Sequence, residues 1–190
     1  MGSACMAIGA RAADLASIFA SRDDARYRAL LDSSDDFVRS LLELDDEHSD
    51  RRTALCDLFV GAACDEVRPH HYGFAMEAVC FQFGERLGEV GGASFFLTDA
   101  RDVLVGAGGS SASLPTLSEQ WFVPIPPMED WPLVAVVPAA DCQRHANTLM
   151  QALPHLPADT DSVSREVLQM FTRWYLVCAS RGIDLILISH

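Results

Sequence analysis

Apolar residues recur at three- and four-residue steps along most of the chain and gather into short continuous runs at three places. The first run, Ser3–Ile8, predicts a strand at the edge or in the middle of a sheet. Ala12–Ala20 reads as a short helix with Leu15, Ile18 and Phe19 on one side. Ser21 is the expected cap of a second helix over Arg22–Leu31, with Asp24 at its third position. Ser34 is the expected cap of a third, where Phe37, Val38, Leu41 and Leu42 keep helical spacing until the acidic run Asp45–Asp50. Ser49 or Asp50 then opens a fourth, with Leu55, Leu58 and Phe59 inward and Gly61 as its stop.

After Pro69 the pattern is at its most regular: Tyr72, Ala75, Met76, Val79, Cys80 and Phe83 repeat at helical steps, and Gly84 closes the helix. Gly88–Ser113 is rich in glycine and serine around Phe95–Leu97 and Val103–Val105, with Thr98 as the expected cap of a short helix through Val105. Leu114–Pro132 holds five prolines and Trp121, Phe122 and Trp131, so it is read as an extended loop. Leu133–Val137 is a β-branched run and predicts a buried strand. Pro138 starts a helix through about Leu153, ended by Pro154 and Pro157. Ser162 is the expected cap of the longest helix, whose stripe is Val163, Val167, Met170, Phe171, Trp174 and Cys178. Gly182 ends it, and Ile183–Ser189 is the last strand.

These elements predict a helix-rich α+β fold: a single domain over residues 1–190, with a small sheet of about three strands packed by six or more helices. The two strongest strands are separated by helices. They are expected to pair in parallel through a crossover, or else to admit Ser3–Ile8 between them as a central strand.

Charge narrows the partners. The chain carries 27 acidic residues against 14 basic ones, a formal net charge of -13. Nucleic acid and anionic membrane repel such a surface, because both are bound by basic patches that release counterions. A basic protein partner or a cationic ligand is favoured. All the basic residues are arginine, so Schiff-base chemistry, the phosphate-binding loop with its lysine and the kinase lysine are excluded. No apolar stretch reaches the ~20 residues of a membrane span. Met1–Ala10 lacks the basic region of a secretory signal, and the six cysteines show no paired short spacing. A cytoplasmic protein with reduced thiols is the expectation.

Several stretches carry a resemblance to known proteins. They are the first strand followed by Ala20-Ser-Arg-Asp-Asp24, the helix Tyr72-Gly-Phe-Ala-Met-Glu-Ala-Val-Cys80, the junction Val136-Val-Pro-Ala-Ala-Asp141 and the closing Ala179-Ser-Arg-Gly-Ile-Asp-Leu-Ile186. In these the chain resembles a family of uncharacterised bacterial proteins, more distantly akin to the YfbM-like proteins. The resemblance implies one cytoplasmic α/β-type domain and brings no activity, catalytic residue or cofactor.

Pro69-His70-His71-Tyr72 is the densest polar constellation. A histidine at a helix start is held toward its neutral, basic form, and Glu77 and Cys80 follow on the same helix. His70 beside Cys56 or Cys64 would make a thiolate–imidazole pair or a metal site; the alternative is one exposed histidine and one that satisfies a loop carbonyl. Cys142 and His145 have chelating spacing but no second pair, so no metal and no cofactor is expected. Gly106–Ser111 lacks the third glycine, the lysine and the helix that a phosphate loop needs, and is read as a surface loop. Asp45–Asp50 lacks the glycine and terminal glutamate of a calcium loop. Trp121, Phe122 and Trp131 on a proline-stiffened loop are either a binding surface or a staple to the core.

Two functions follow as expectations. The first is a non-catalytic acidic interaction protein of immunity or accessory type, with Trp121 and Trp131 exposed. The second is a small enzyme or small-molecule binder of accessory or biosynthetic metabolism. It would use His70 or His71 with Glu77 as acid–base groups, and Tyr72, Trp121, Phe122 and Trp131 as binding residues in a pocket under the loop.

Overall fold

The two most deeply buried strands are the two interior strands of the sheet. In a computed structural model of the chain, which describes residues 4–43, 51–62, 69–91, 93–127 and 132–189, β1 (Ala4–Ala10) and β4 (Asp184–Ser189) lie side by side. The order is β2-β1-β4-β3, antiparallel, with β2 at Glu85–Gly91 and β3 at Leu133–Val137. All three predicted strands form. β3 and β4 do pair directly, but antiparallel rather than through a parallel crossover. Two helices separate them in sequence, and the three reversals of strand–helix–helix–strand leave the chain running in the opposite direction. β1 flanks β4 rather than inserting between the pair.

β2 is the fourth strand, and its pattern explains why periodicity passes over it. Only Val90 is buried along it, while Glu85, Arg86 and Glu89 face solvent, as suits an edge. Gly88 sits at φ +145, and a Cβ there would lie 3.2 Å from the Trp174 indole nitrogen, which donates to the Leu87 carbonyl at 3.1 Å. Both the conformation and the close approach require glycine.

By its contacts the chain divides into two compact units, each assembled from separated segments. The first takes Met1–Gly9, Leu87–Leu117 and Ala135–His190. Its helices are α6 (Ala93–Gly106), α7 (Ala139–Ala152) and α8 (Ser162–Arg181). α8 packs on both α7 and α6, so its buried face is broad: Val167, Leu168, Phe171, Trp174, Tyr175 and Cys178 enter the core. The predicted stripe is corrected at Val163, which is 38% exposed. Asp161, not Ser162, caps α8 by accepting the Ser164 N–H at 2.8 Å, and Gly182 ends it in the left-handed region at φ 63.

The second unit takes Ala10–Arg86 and Ser118–Val134. It is a bundle of α1 (Ala12–Ala16), α2 (Asp24–Leu31), α3 (Asp36–Glu43) and α4 (Arg51–Val60) around α5 (Pro69–Phe83). α5 is buried on nearly every side, the position of a helix apolar all round, although its terminal Phe83 reaches solvent. Asp23 caps α2 through the Ala25 and Arg26 N–H groups, and Asp35 caps α3 through those of Phe37 and Val38. The aspartates do the work expected of Ser21 and Ser34. Arg86 pairs with Asp35 at 2.7 Å and stacks on Phe81, fastening the end of the unit to α3. Among the described residues, no helix is long and apolar enough to cross a membrane.

Candidate functional site

Pro69 stands at the first position of α5, where its missing N–H costs nothing. His70, next along, is exposed, while His71 is buried at 6% exposure, and the two rings meet edge-on at 4.3 Å. Tyr72 is buried and its hydroxyl donates to Asp57 Oδ2 on α4 at 3.1 Å. One turn on, the Arg51 guanidinium lies 4.0 Å from the centre of the Phe74 ring and donates to the Leu41 carbonyl at 2.9 Å. Glu77 follows with no exposed surface. Burial first, and the neighbouring Glu77 after it, push the Cys80 thiol up.

The helix sets how these groups combine. Seven residues put His70 and Glu77 on one face, about 10 Å apart along the axis, with the first in solvent and the second in the core. Six residues leave His71 and Glu77 about 120° apart around the helix. Helical spacing thus does not aim either histidine at the carboxylate. What α5 does offer is a wet-to-dry gradient at its start, with imidazole, phenol and carboxylate of Asp57 within one turn.

Of the two readings of the aromatic loop, Trp121 fits the staple to the core. Trp121 is 4% exposed and its indole N–H donates to the Pro132 carbonyl at 3.3 Å, so it anchors the loop instead of displaying it. Phe122 is half-buried and tilted against it, ring centres 6.0 Å apart. Trp131, Cys64 and the acidic run 45–50 lie outside the described residues. Cys56 is exposed on α4.

In the first unit the structure assembles a polar cluster that spacing alone concealed. His145 Nδ1 is 3.4 Å from Ser113 Oγ, and His145 Nε2 is 3.4 Å from the Arg144 guanidinium. Arginine only donates, so Nε2 accepts and Nδ1 carries the proton toward Ser113. A serine that accepts from the imidazole is not activated by it, and the pair is structural rather than nucleophilic. Burial first, then the Arg144 charge, holds the His145 pKa below its ordinary value, against the opposing pull of Asp141. Tyr175 donates to the Ser113 carbonyl at 2.9 Å and packs on the His145 ring at 5.4 Å. Ser111–Ser113 forms one 3₁₀ turn after the Gly106–Gly109 stretch, so no helix start follows the glycines. Cys142 does not share a ligand position with His145; its Sγ donates to the Val137 carbonyl at 3.8 Å. Among the described residues, no group of three or more potential metal ligands comes together. The outer face of α8 carries a shallow groove of about 300 Å³ lined by Arg165, Glu166, Gln169 and Arg173 among others.

The whole chain, residues 1–190, matches the model of the domain of unknown function DUF7691, and the chain belongs to that family. No curated protein and no solved structure matches it.

Proposed function

We propose that this member of the family is a non-catalytic, cytoplasmic interaction protein that uses its acidic second unit to bind a basic protein partner. The observation that carries the reading is where the charge lies. The second unit contains 19 of the 27 acidic residues and nine of the 14 arginines, the first unit only eight and five. A field concentrated in one unit steers a basic partner and fixes the side from which it docks. Asp14, Asp24 and Asp32 stand exposed on that unit, open to arginine or lysine of a partner. An immunity or accessory role suits such a protein, since both need occupancy and no turnover. The YfbM-like resemblance is compatible with it and adds no activity.

The test uses the intact protein as bait in an extract of its host, with elution by stepped salt and identification of what is retained. A basic protein released as salt rises is the expected result. Neutralising Asp14, Asp24 and Asp32 to Asn is expected to weaken it about tenfold, whereas Asp99→Asn, Asp102→Asn and Asp159→Asn together leave it unchanged. Retention indifferent to salt and to both sets of changes contradicts the reading.

One observation favours a second reading, a small-molecule binder: the buried His71, Tyr72 and Glu77 on α5. Under it, protein purified from its own host retains a ligand in its native mass spectrum. His71→Ala then loses that ligand while keeping the wild-type circular dichroism. Absence of any retained ligand removes this alternative.

A further inference from the structure

We propose that the outer face of α8 is a binding site for an acidic amino acid, the class of small α-amino dicarboxylates. Arg165 and Arg173 would take its carboxylates and Glu166 its ammonium group. Ser162, Arg165, Glu166, Gln169, Met170 and Arg173 line a groove of about 300 Å³ there, at the small end of the range in which proteins hold small molecules. All six belong to one helix, at steps that keep them on one face. The opposite face of α8 enters the core through Leu168, Phe171 and Tyr175, so the backbone that carries the six is fixed before any ligand arrives.

The charges in this groove are not matched within the chain. Arg26, Arg39, Arg52, Arg86 and Arg144 each pair with a carboxylate, whereas among the described residues neither Arg173 nor Glu166 has an ion pair. Arg165 donates one N–H to the Pro157 carbonyl at 3.2 Å, which steadies its guanidinium without neutralising it. A guanidinium carries five donors, so Arg165 keeps an edge for a carboxylate. Eight residues separate the two arginines, about 12 Å along the axis, and both side chains are long enough to lean together over Gln169. Gln169 adds an amide donor and acceptor between them, and half-buried Met170 gives ligand methylenes an apolar wall.

The sign of each charge selects the ligand. Two guanidinium groups and one carboxylate in a single groove complement two carboxylates and one amine. A simple dicarboxylate leaves Glu166 opposed, and a simple amine leaves both arginines unmatched. A polyanion meets Glu166 and a chain of net charge -13 with only two cations in its favour. The groove also lies on the less acidic unit, with eight acidic residues and five arginines, where a ligand of net negative charge meets the weaker repulsion. It shares no residue with the acidic docking surface proposed for the second unit, nor with His71, Tyr72 and Glu77 on α5.

The test follows the backbone amide resonances of the isotope-labelled full chain as L-glutamate, glutarate or sodium chloride is added at matched ionic strength. L-Glutamate is expected to give saturable shifts along α8 with a Kd of about 1 mM, as suits exposed charges. Glutarate, which lacks the amine, binds more weakly, and sodium chloride gives no such shifts. Arg165→Gln and Arg173→Gln each lower the L-glutamate affinity about tenfold. Glu166→Gln reverses the preference, weakening L-glutamate and tightening glutarate. Arg26→Gln, on α2, changes neither. The substituted side chains are exposed or half-buried, and an amide spectrum unchanged without ligand shows that each variant folds. No saturation by L-glutamate up to about 50 mM overturns the proposal. So do shifts that sodium chloride reproduces, and so does a Glu166→Gln variant that still prefers L-glutamate to glutarate.

Discussion

The first unit pairs several of its buried polar groups, His145 with Ser113, Tyr175 with the Ser113 carbonyl, Thr172 with the Leu168 carbonyl and Trp174 with the Leu87 carbonyl, although Ser189 Oγ is buried with no hydrogen-bond partner. It is close to neutral, with eight acidic residues and five arginines. The second unit carries 19 and nine, and buries a carboxylate, Glu77, in the middle of its central helix. In the one, polarity holds helices together; in the other, it is chiefly exposed charge. A buried carboxyl group is costly to desolvate, so its presence in α5 marks the place where the second unit departs from economical packing. The difference directs a search for binding to the second unit and a search for stability to the first.

That contrast can be broken by mutation, beginning where the effect is greatest. Phe171 is 1% exposed and packs on Trp174 and Tyr175, ring centres 5.0 and 5.9 Å away. Phe171→Ala is expected to cost about 3–5 kcal/mol in urea unfolding, through lost contacts and the cavity left behind. A loss below 1 kcal/mol would mean that the first unit repacks freely. Tyr175→Phe keeps the ring and removes the donor to Ser113, at a cost of about 1–2 kcal/mol by the same measurement. No change would show the cluster to be ornamental to stability.

Asp35→Ala sharpens the comparison from the other side. Asp35 both caps α3 and pairs with Arg86, yet its side chain is 39% exposed, so solvent screens the pair. A loss of about 1 kcal/mol is expected, most of it from the cap. Against a raising effect of burial, the Val38 N–H, Arg86 and the Phe37 N–H hold this carboxyl below its ordinary 3.8. Its contribution is complete above that value and disappears as pH falls through the lower folded-state pKa. Acid titration of the variant should accordingly lack this component.

His145 supplies the smallest effect. Its folded pKa lies below 6.5, so the unfolded chain binds the proton more readily. Stability is complete above pH 6.5 and declines as pH drops from there to the folded pKa, then levels. Thermal melts of wild type and His145→Gln from pH 7.5 to 5 should differ by this slope, and parallel curves would place His145 outside the pH response.

Strands and helices whose apolar residues face one core were legible before any coordinates, as β1, β3, β4, α5 and α8 attest. β2 was not, because an exposed edge strand with Gly88 and a single buried valine has neither alternation nor a run. Caps were legible only to within a residue or two. Ser and Asp are both good caps, and only geometry says that Asp23, Asp35 and Asp161 reach the N–H groups. At the candidate site, the sequence pointed to His71, Tyr72 and Glu77 on one helix without saying which sides they face. Trp121 was visible as an aromatic on a stiff loop, but the direction of a loop side chain depends on long-range packing. His145 and Ser113 become neighbours only through the packing of α7, a relation that no local spacing encodes.

The proposed docking field is the charge of the second unit, and one titration tests it directly. The affinity of the captured partner is measured from low to high salt for wild type, for the Asp14/Asp24/Asp32 triple Asn variant and for the Asp99/Asp102/Asp159 triple Asn variant. The predicted result is a steep loss of affinity with salt in wild type and in the first-unit variant, with a shallower slope in the second-unit variant. Three superimposable curves would contradict it.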